Sequence, residues 1–264
     1  MSVKPQATNH PDPLMGAARR VIICAGTGCV ANGAMKVYAA FQEQMRKNNL
    51  PFVVELREEN DNSGKIGLTH SGCQGFCQMG PLVAVLPDSI LYNRVRPEDA
   101  AEIVETSLVQ NGVVERLLYV EPGTSHACKG VRDIPFYTRQ QRFVLGECGT
   151  IDPDSLSEYL RNGGYDAAKK AFLQMTPEAV CTEISESGLR GRGGGGFPTG
   201  RKWEAARRQN DGKKYVICNA DEGDPGAFMN RSVMEGNPHS VVEGLMIAAR
   251  AVGADETLVY VRAE

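Results

Sequence analysis

Two close pairs of cysteines are the residues of this sequence best suited to metal chemistry. Cys24 and Cys29 are separated by four residues, and Cys73 and Cys77 are separated by three. Glycines surround both pairs, so that backbone N–H groups can approach an anionic sulfide closely. Four thiolates are also the ligand set that two irons require. The pattern therefore predicts one [2Fe–2S] cluster held by these four side chains.

Two other interpretations of the four cysteines remain open. Structural zinc sites pair cysteines at spacings of about two to four residues, so the spacing alone admits zinc. Cysteines are also common in protein cores, where they act as small hydrophobic residues. A thioredoxin-type redox dithiol needs Cys-x-x-Cys, and that motif does not occur in this sequence.

A second stretch suited to binding is the glycine tract, residues 188–203. Successive glycines let backbone amides line a phosphate or a flat ring without obstruction by side chains. The tract also carries four cations, which are Arg190, Arg192, Arg201 and Lys202. These residue types together predict a binding site for a phosphate-bearing cofactor.

Known phosphate-binding motifs do not account for the glycine tract. Gly191, Gly193 and Gly196 satisfy G-x-G-x-x-G, but the dinucleotide-binding form of that motif follows a strand, and here a helix is predicted before it. The P-loop pattern fails because Arg201 stands at its lysine position. A flexible linker is the remaining alternative. Flexible linkers, however, usually consist mainly of glycine and serine, whereas this stretch contains Phe197 beside its cations.

An acidic run, residues 219–226, follows a predicted strand. Such a run by itself usually forms a solvated turn. Beside the glycine tract, however, it supplies hydrogen-bond acceptors that can face the ribityl hydroxyls of a flavin.

Composition limits the class of protein. The chain has 264 residues, is 42% hydrophobic and carries a net charge of −3, which argues against general nucleic-acid binding. It contains no apolar run of the roughly 18 residues that a membrane span requires. Eight cysteines without a recognisable export signal indicate a reducing compartment, so we expect a cytoplasmic location.

Alternating elements surround the cysteine pairs. The order of strand, helix, strand, strand, hairpin and helix predicts a thioredoxin-like domain. The predicted elements are strand 21–23, helix 32–48, strands 52–56 and 65–69, the hairpin 82–86 and 89–92, and helix 97–109.

The second half of the sequence predicts helices 154–161, 165–173 and 177–187, a strand at 214–218, a helical region at 233–251 and a strand at 257–261. We expect Thr176 to cap the third of these helices and Gly188 to end it. The predicted organisation of the whole chain is a flexible tail (1–18), a ferredoxin domain (19–115), a linker and docking segment (116–150) and a partial cofactor-binding domain (151–264).

The first half resembles the thioredoxin-like [2Fe–2S] ferredoxin family. The resemblance covers residues 19–112 and rests on the Cys24–Cys29 pair and on the stretch 70–83, His-Ser-Gly-Cys-Gln-Gly-Phe-Cys-Gln-Met-Gly-Pro-Leu-Val. It implies that Cys24, Cys29, Cys73 and Cys77 ligate the cluster.

From about residue 135 onward, the sequence resembles the NADH-binding flavoprotein subunit of respiratory complex I. Soluble relatives of that family include the NAD(P)-linked subunits of [FeFe] hydrogenases and formate dehydrogenases. The resemblance runs through Gln140-Gln-Arg, residues 146–151, the glycine tract, the acidic run and residues 260–264. The implied fold is an α/β thioredoxin-like ferredoxin domain followed by the N-terminal part of a complex I flavoprotein-type domain.

The second resemblance also implies which residues meet the cofactors. Backbone of the glycine tract would line NAD(H) or NADP(H), Phe197 would stack near its nicotinamide or adenine ring, and Lys202 would meet the FMN phosphate or ring. The family usually has alanine where this chain has Gly195. Glycine at this position adds conformational freedom to the backbone and creates no steric conflict. The implied contact residues are Gly191, Arg192, Gly193, Gly194, Gly195, Gly196, Phe197, Gly200, Lys202, Asn219, Asp221 and Glu222.

The family's later flavin-binding loop, ubiquitin-like domain and [4Fe–4S] cysteines do not occur in this sequence. We therefore expect a fragment of a longer subunit, or a protein whose remainder lies on another chain. The expected function is diaphorase-type electron transfer between NAD(P)H, FMN and iron–sulfur clusters, with other iron–sulfur subunits of a hydrogenase- or complex I-like assembly as partners. The alternatives are a non-enzymatic [2Fe–2S] carrier and a zinc-stabilised interaction module. The preference for NADH or NADPH stays open.

Overall fold

The computed structural model describes residues 12–57, 60–210 and 212–262. The described residues divide into two compact units, the first comprising those from 12 to 162 together with 235–237 and the second those of 163–234 and 238–262. Residues 1–11 of the predicted tail lie outside the described residues. Met15 and Ala17, which belong to the same predicted tail, are buried and pack in an apolar cluster with Leu56. Apolar burial thus makes the end of this segment part of the first unit.

A five-stranded sheet organises the first unit, with strand order β2-β3-β1-β4-β5. Strand β1 is central, runs parallel to β3 and antiparallel to β4. The strands are β1 (Arg19–Cys24), β2 (Phe52–Val53), β3 (Ile66–Ser71), β4 (Val83–Leu86) and β5 (Ile90–Tyr92). The predicted hairpin is confirmed, whereas the predicted strand 52–56 pairs over only two residues.

Two helices follow β1 directly, α1 (Thr27–Ala31) and α2 (Ala34–Lys47). Helix α2 places Val37, Phe41 and Met45 on one buried face, at the spacing of an amphipathic helix. The predicted helix 97–109 consists of a 3₁₀ turn (Pro97–Asp99), helix α3 (Ala100–Ile103) and a π-helical segment (Val104–Val109).

The predicted linker and docking segment, residues 116–150, packs on the core of the first unit. Leu117, Cys128, Ile134 and Tyr137 are buried in the same apolar cluster as the sheet. The first unit extends to Asn162, beyond the predicted boundary at 115. Its further elements are a 3₁₀ turn (Glu115–Leu117), β6 (Tyr119–Val120), β7 (Ala127–Cys128), α4 (Pro135–Thr138) and α5 (Leu156–Arg161).

The second unit contains helices and two parallel strands. Thr176 caps α7 (Pro177–Glu186) as predicted, since its Oγ1 accepts a hydrogen bond from the Ala179 N–H at 3.2 Å. Helix α7 packs with α6 (Asp166–Leu173) and α10 (Pro238–Val252), and the three helices bury Val180, Ala171 and Ala251 in one apolar cluster. The elements are α6 (Asp166–Leu173), α7 (Pro177–Glu186), α8 (Thr199–Arg207), β8 (Tyr215–Asn219), α9 (Met229–Gly236, whose last two residues belong to the first unit), α10 (Pro238–Val252) and β9 (Glu256–Tyr260). Among the described residues, no helix has the length and apolar character to cross a bilayer.

Candidate functional site

The four predicted ligands lie at one edge of the sheet of the first unit. Cys24 is the last residue of β1, and Cys29 follows it in α1. Cys73 comes two residues after β3, and Cys77 begins a 3₁₀ turn. Because β1 and β3 are parallel neighbours, their carboxyl ends meet at the same edge.

The thiols are close enough to affect one another. The Sγ atoms of Cys73 and Cys77 are 3.4 Å apart. Interaction with the Cys29 thiol raises the pKa of Cys24 to about 12, and Cys24 in turn lowers the pKa of Cys29. Cys24 also raises the pKa of Cys73, while burial raises the pKa of Cys77 to about 11. Crowded thiols resist ionisation together, so a bound cation is needed to hold all four as thiolates.

The distances between the sulfurs distinguish a site for a two-metal cluster from a site for a single zinc ion. A tetrahedral zinc with bonds of about 2.3 Å holds every pair of thiolate sulfurs about 3.8 Å apart. No three of these four sulfurs, all of which the structure describes, lie within 4.8 Å of one another. The donor set is therefore more spread out than one zinc requires, and it fits two irons better.

Two glycines leave room for this arrangement. A Cβ on Gly26 would lie 2.7 Å from the Cβ of Cys73, and a Cβ on Gly80 would lie 2.5 Å from the Sγ of Cys29. The Gly75 N–H also donates to the Sγ of Cys73 at 3.3 Å. Glycines near the cysteines thus permit close approach of the backbone to the thiols, and the contact of their N–H groups with a cluster sulfide stays a prediction.

Aromatic residues pack beside the second cysteine pair. Phe76, which precedes Cys77, stacks on Phe136 with ring centroids 4.9 Å apart. Tyr119 and Tyr137 meet the same Phe76 ring edge-on at 5.2 and 5.6 Å. An apolar layer of this kind limits access of water to a cluster. Phe136 and Tyr137 could not be predicted at this site from the sequence, because no local pattern links residues 135–138 to the cysteines.

In the second unit, the glycine tract forms a loop between α7 and α8. The Gly191 N–H donates to the Phe197 carbonyl at 2.8 Å, and Arg190 Nη1 donates to the Gly196 carbonyl at 3.0 Å. A Cβ at residues 193–196 would meet no atom within 4 Å, so the tip of the loop has open space around it. Phe197 is 51% exposed, and the Arg201 guanidinium lies 5.9 Å from its ring centroid. The loop therefore presents backbone, a free aromatic face and positive charge.

Gly200 has a packing role that the sequence analysis did not predict. It is buried in α8, and a Cβ there would lie 2.7 Å from the Cα of Ser185 in α7. Close approach of the two helices accounts for this glycine by itself. Its contact with a dinucleotide remains a prediction.

The acidic run forms a hydrogen-bonded loop after β8. Asn219 Oδ1 accepts from the Asp221 N–H at 3.1 Å, and Glu222 Oε1 accepts from the Asn230 N–H at 2.5 Å. Asp221, Glu222 and Asn230 also line an open depression of about 510 Å³. The other carboxylate oxygen of Glu222, Oε2, is buried and has no hydrogen-bond partner. An unsatisfied acceptor at a depression fits a ligand that brings a hydroxyl or N–H group.

His70 lies in an acidic setting that the sequence did not indicate. Its Nε2 is 3.2 Å from Asp154 Oδ2 and 3.7 Å from Asp152 Oδ1. The structure pairs its imidazole with these two carboxylates.

Comparison with known proteins bears on both units. The thioredoxin-like [2Fe–2S] ferredoxin family model matches residues 15–107, and the Nuo51 FMN-binding domain model matches residues 184–264. A solved thioredoxin-like [2Fe–2S] ferredoxin from Aquifex aeolicus is 29% identical with a TM-score of 0.32, and the match covers 40% of this chain and 99% of that one.

Two curated relatives are subunits of larger enzymes. The NADP-reducing hydrogenase subunit HndC of Solidesulfovibrio fructosivorans is 51% identical over 48% of this chain and 25% of its own length. The NAD-reducing hydrogenase HoxS subunit alpha of Cupriavidus necator is 30% identical over 93% of this chain and 37% of its own length. The chain thus spans about a quarter to two fifths of the length of these relatives.

The family matches agree with the division seen in the structure, since each falls mainly within one of the two units. The predicted combination of a ferredoxin domain with part of a flavoprotein domain is confirmed. The chain joins a thioredoxin-like [2Fe–2S] ferredoxin domain to an N-terminal part of the Nuo51 FMN-binding domain.

Proposed function

We propose that this chain is an electron-transfer module of the diaphorase type, in which Cys24, Cys29, Cys73 and Cys77 hold a [2Fe–2S] cluster. The convergence of four thiols, spaced too widely for one zinc, is the observation that carries the proposal. When bound, FMN supplies the exchange between the two-electron chemistry of a nicotinamide and the one-electron chemistry of iron–sulfur clusters.

The residues of the second unit have separate tasks in this proposal. Backbone of the glycine tract admits the phosphates and ring of the cofactors, and Arg192 and Lys202 supply positive charge nearby. Phe197 offers its exposed ring for stacking. Asn219, Asp221 and Glu222 would lie beside the flavin, where the unpartnered Glu222 Oε2 would be available to accept a hydrogen bond. NAD(H) or NADP(H) is the proposed electron donor or acceptor.

The names of the relatives support the proposed setting. They are subunits of hydrogenases and of NADH-quinone oxidoreductases. We infer that the partners of this chain are other iron–sulfur subunits of such an assembly, in the cytoplasm.

A non-enzymatic electron carrier is the second candidate. One observation favours it, namely that all four proposed cluster ligands belong to the first unit. A single cluster could therefore be bound and reduced without any cofactor on the second unit.

Spectroscopy of the purified chain tests the cluster. We expect visible thiolate-to-iron absorption with two irons and two sulfides per chain. Cys77→Ser should remove most of this absorption. Cys218→Ser is the matched control, because Cys218 lies in the second unit, and it should retain the absorption. A colourless wild-type protein that contains zinc would overturn the proposal.

A test of flavin binding distinguishes the diaphorase-type module from the non-enzymatic electron carrier. We expect protein prepared anaerobically with FMN to release flavin on heating. We also expect NADH or NADPH to bleach the bound flavin. A cluster-containing protein that binds no flavin would favour the carrier.

A further inference from the structure

The hydroxyl of Tyr137 is buried without a hydrogen-bond partner. The residue is 8% exposed, and its hydroxyl oxygen has no appreciable solvent-accessible surface. Buried tyrosine hydroxyls nearly always donate to some acceptor, because an unmade hydrogen bond in the interior costs free energy. The partner of this hydroxyl is therefore a group other than the protein atoms around it.

The position of Tyr137 points to the cluster site. Helix α4 places its ring edge-on against Phe76, the residue that precedes Cys77, with an interplanar angle of 71°. Tyr137 belongs to the same buried apolar cluster as Cys24 and Cys29. Burial raises the pKa of Tyr137, and the nearby thiols of Cys24, Cys73 and Cys29 raise it further. The phenol thus lies within electrostatic reach of three of the four proposed ligands.

The charged neighbour of this hydroxyl cannot be its acceptor. Arg142 is close enough for its charge to lower the pKa of Tyr137, but a guanidinium has only donors and cannot accept a hydrogen bond. Arg142 Nη2 already donates to the Cys148 carbonyl at 3.2 Å. No described protein atom, the four cysteine sulfurs included, lies within hydrogen-bond distance of the hydroxyl oxygen, and Tyr137 is one of the residues that line a cavity of about 410 Å³. A bound [2Fe–2S] cluster would add two inorganic sulfides, which can accept a hydrogen bond, close to the three cysteines that affect the pKa of Tyr137.

We propose that the Tyr137 hydroxyl donates a hydrogen bond to a sulfur atom of the [2Fe–2S] cluster and raises the reduction potential of that cluster. This inference rests on the proposed binding of the cluster by the four cysteines. A reduced cluster carries one more negative charge than an oxidised one. A hydrogen-bond donor at sulfur therefore stabilises the reduced form more. The donor comes from residues 135–138, outside the part of the chain that matches the ferredoxin family.

A redox titration of the full chain with its cluster tests the inference. Tyr137→Phe keeps the ring and removes only the hydroxyl. We expect it to shift the reduction equilibrium about tenfold toward the oxidised form, which is about 59 mV for a one-electron couple. Tyr119→Phe is the matched control, since Tyr119 also packs edge-on against Phe76, and it should leave the potential unchanged. Equal potentials for wild type and Tyr137→Phe would overturn the inference.

Two further measurements cover the case in which Tyr137→Phe loses its cluster. In wild type, exchange into D₂O should shift the iron–sulfur stretching bands, and no such shift would contradict a hydroxyl donor. Incorporation of 3-fluorotyrosine at position 137 makes the donor stronger and should raise the potential, whereas an unchanged potential would refute the inference. If wild type itself binds no iron, the proposed function fails; if wild type binds a cluster and these tests fail, only the role of Tyr137 is wrong.

Discussion

Cys24 lies directly opposite Ser71 across the parallel strands β1 and β3. This register places the next residues of both strands at the same edge, where the chain turns into the two cysteine loops. Cys73, two residues beyond Ser71, is thereby brought beside Gly26, two residues beyond Cys24. Strand register therefore sets the distance between the cysteine pairs.

Gly26→Ala should reduce cluster binding. The new methyl group would lie 2.7 Å from the Cβ and 2.8 Å from the Cα of Cys73, so one cysteine loop must move. We expect the iron content per chain to fall by more than half. Gly28→Ala is the control, because its Cβ would make an ordinary contact of 3.5 Å with Cys77. Iron content unchanged in Gly26→Ala would show that the loops have more freedom than the structure indicates.

The buried ion pair of Arg20 and Glu158 should stabilise the first unit. Arg20 Nη2 donates to Glu158 Oε1 at 2.7 Å, and the two side chains are 1% and 5% exposed. Either Arg20→Met or Glu158→Met leaves a buried charge without its partner and should cost about 3–5 kcal/mol of unfolding free energy. The double variant should cost less than the sum, and denaturant unfolding of all four proteins measures this coupling. Strictly additive costs would mean that the pair does not act together.

Gly200→Ala should destabilise the second unit. The added methyl group would collide with the Ser185 backbone, and overpacking of this kind costs about 1–3 kcal/mol. We expect a lower thermal unfolding midpoint. Gly195→Ala should leave the midpoint and flavin affinity unchanged, because no atom lies within 4 Å of its new Cβ. A midpoint equal to wild type in Gly200→Ala would contradict the close packing of α7 on α8.

Glu222→Gln should weaken FMN binding about tenfold, which is about 1.4 kcal/mol. The substitution keeps one oxygen for the Asn230 N–H and replaces the unsatisfied acceptor Oε2 with a donor. Fluorescence titration of FMN measures the change. Glu256→Gln, an exposed carboxylate of β9 in an ion pair with Lys213, is the control and should bind FMN normally. If wild type and Glu222→Gln bind FMN with equal affinity, the flavin does not contact Glu222.

Local chemistry allowed much of the fold to be predicted from the sequence. Thr176 marks the start of α7 because a side-chain cap needs only the next three residues. The apolar spacing of Val37, Phe41 and Met45 indicates α2 because helical periodicity repeats within one element. The two cysteine pairs with their glycines indicate iron–sulfur chemistry for the same reason.

Relations between distant residues could not be predicted in this way. The spacing of the four sulfurs depends on the register of β1 against β3, and the position of Tyr137 depends on how residues 116–150 pack on the sheet. Likewise, the contact of Gly200 with Ser185 depends on the approach of two helices. Such contacts are set by packing of the whole unit, and no period or turn motif encodes them. The sequence by itself determined which residues can do chemistry, and the tertiary structure decided which of them meet.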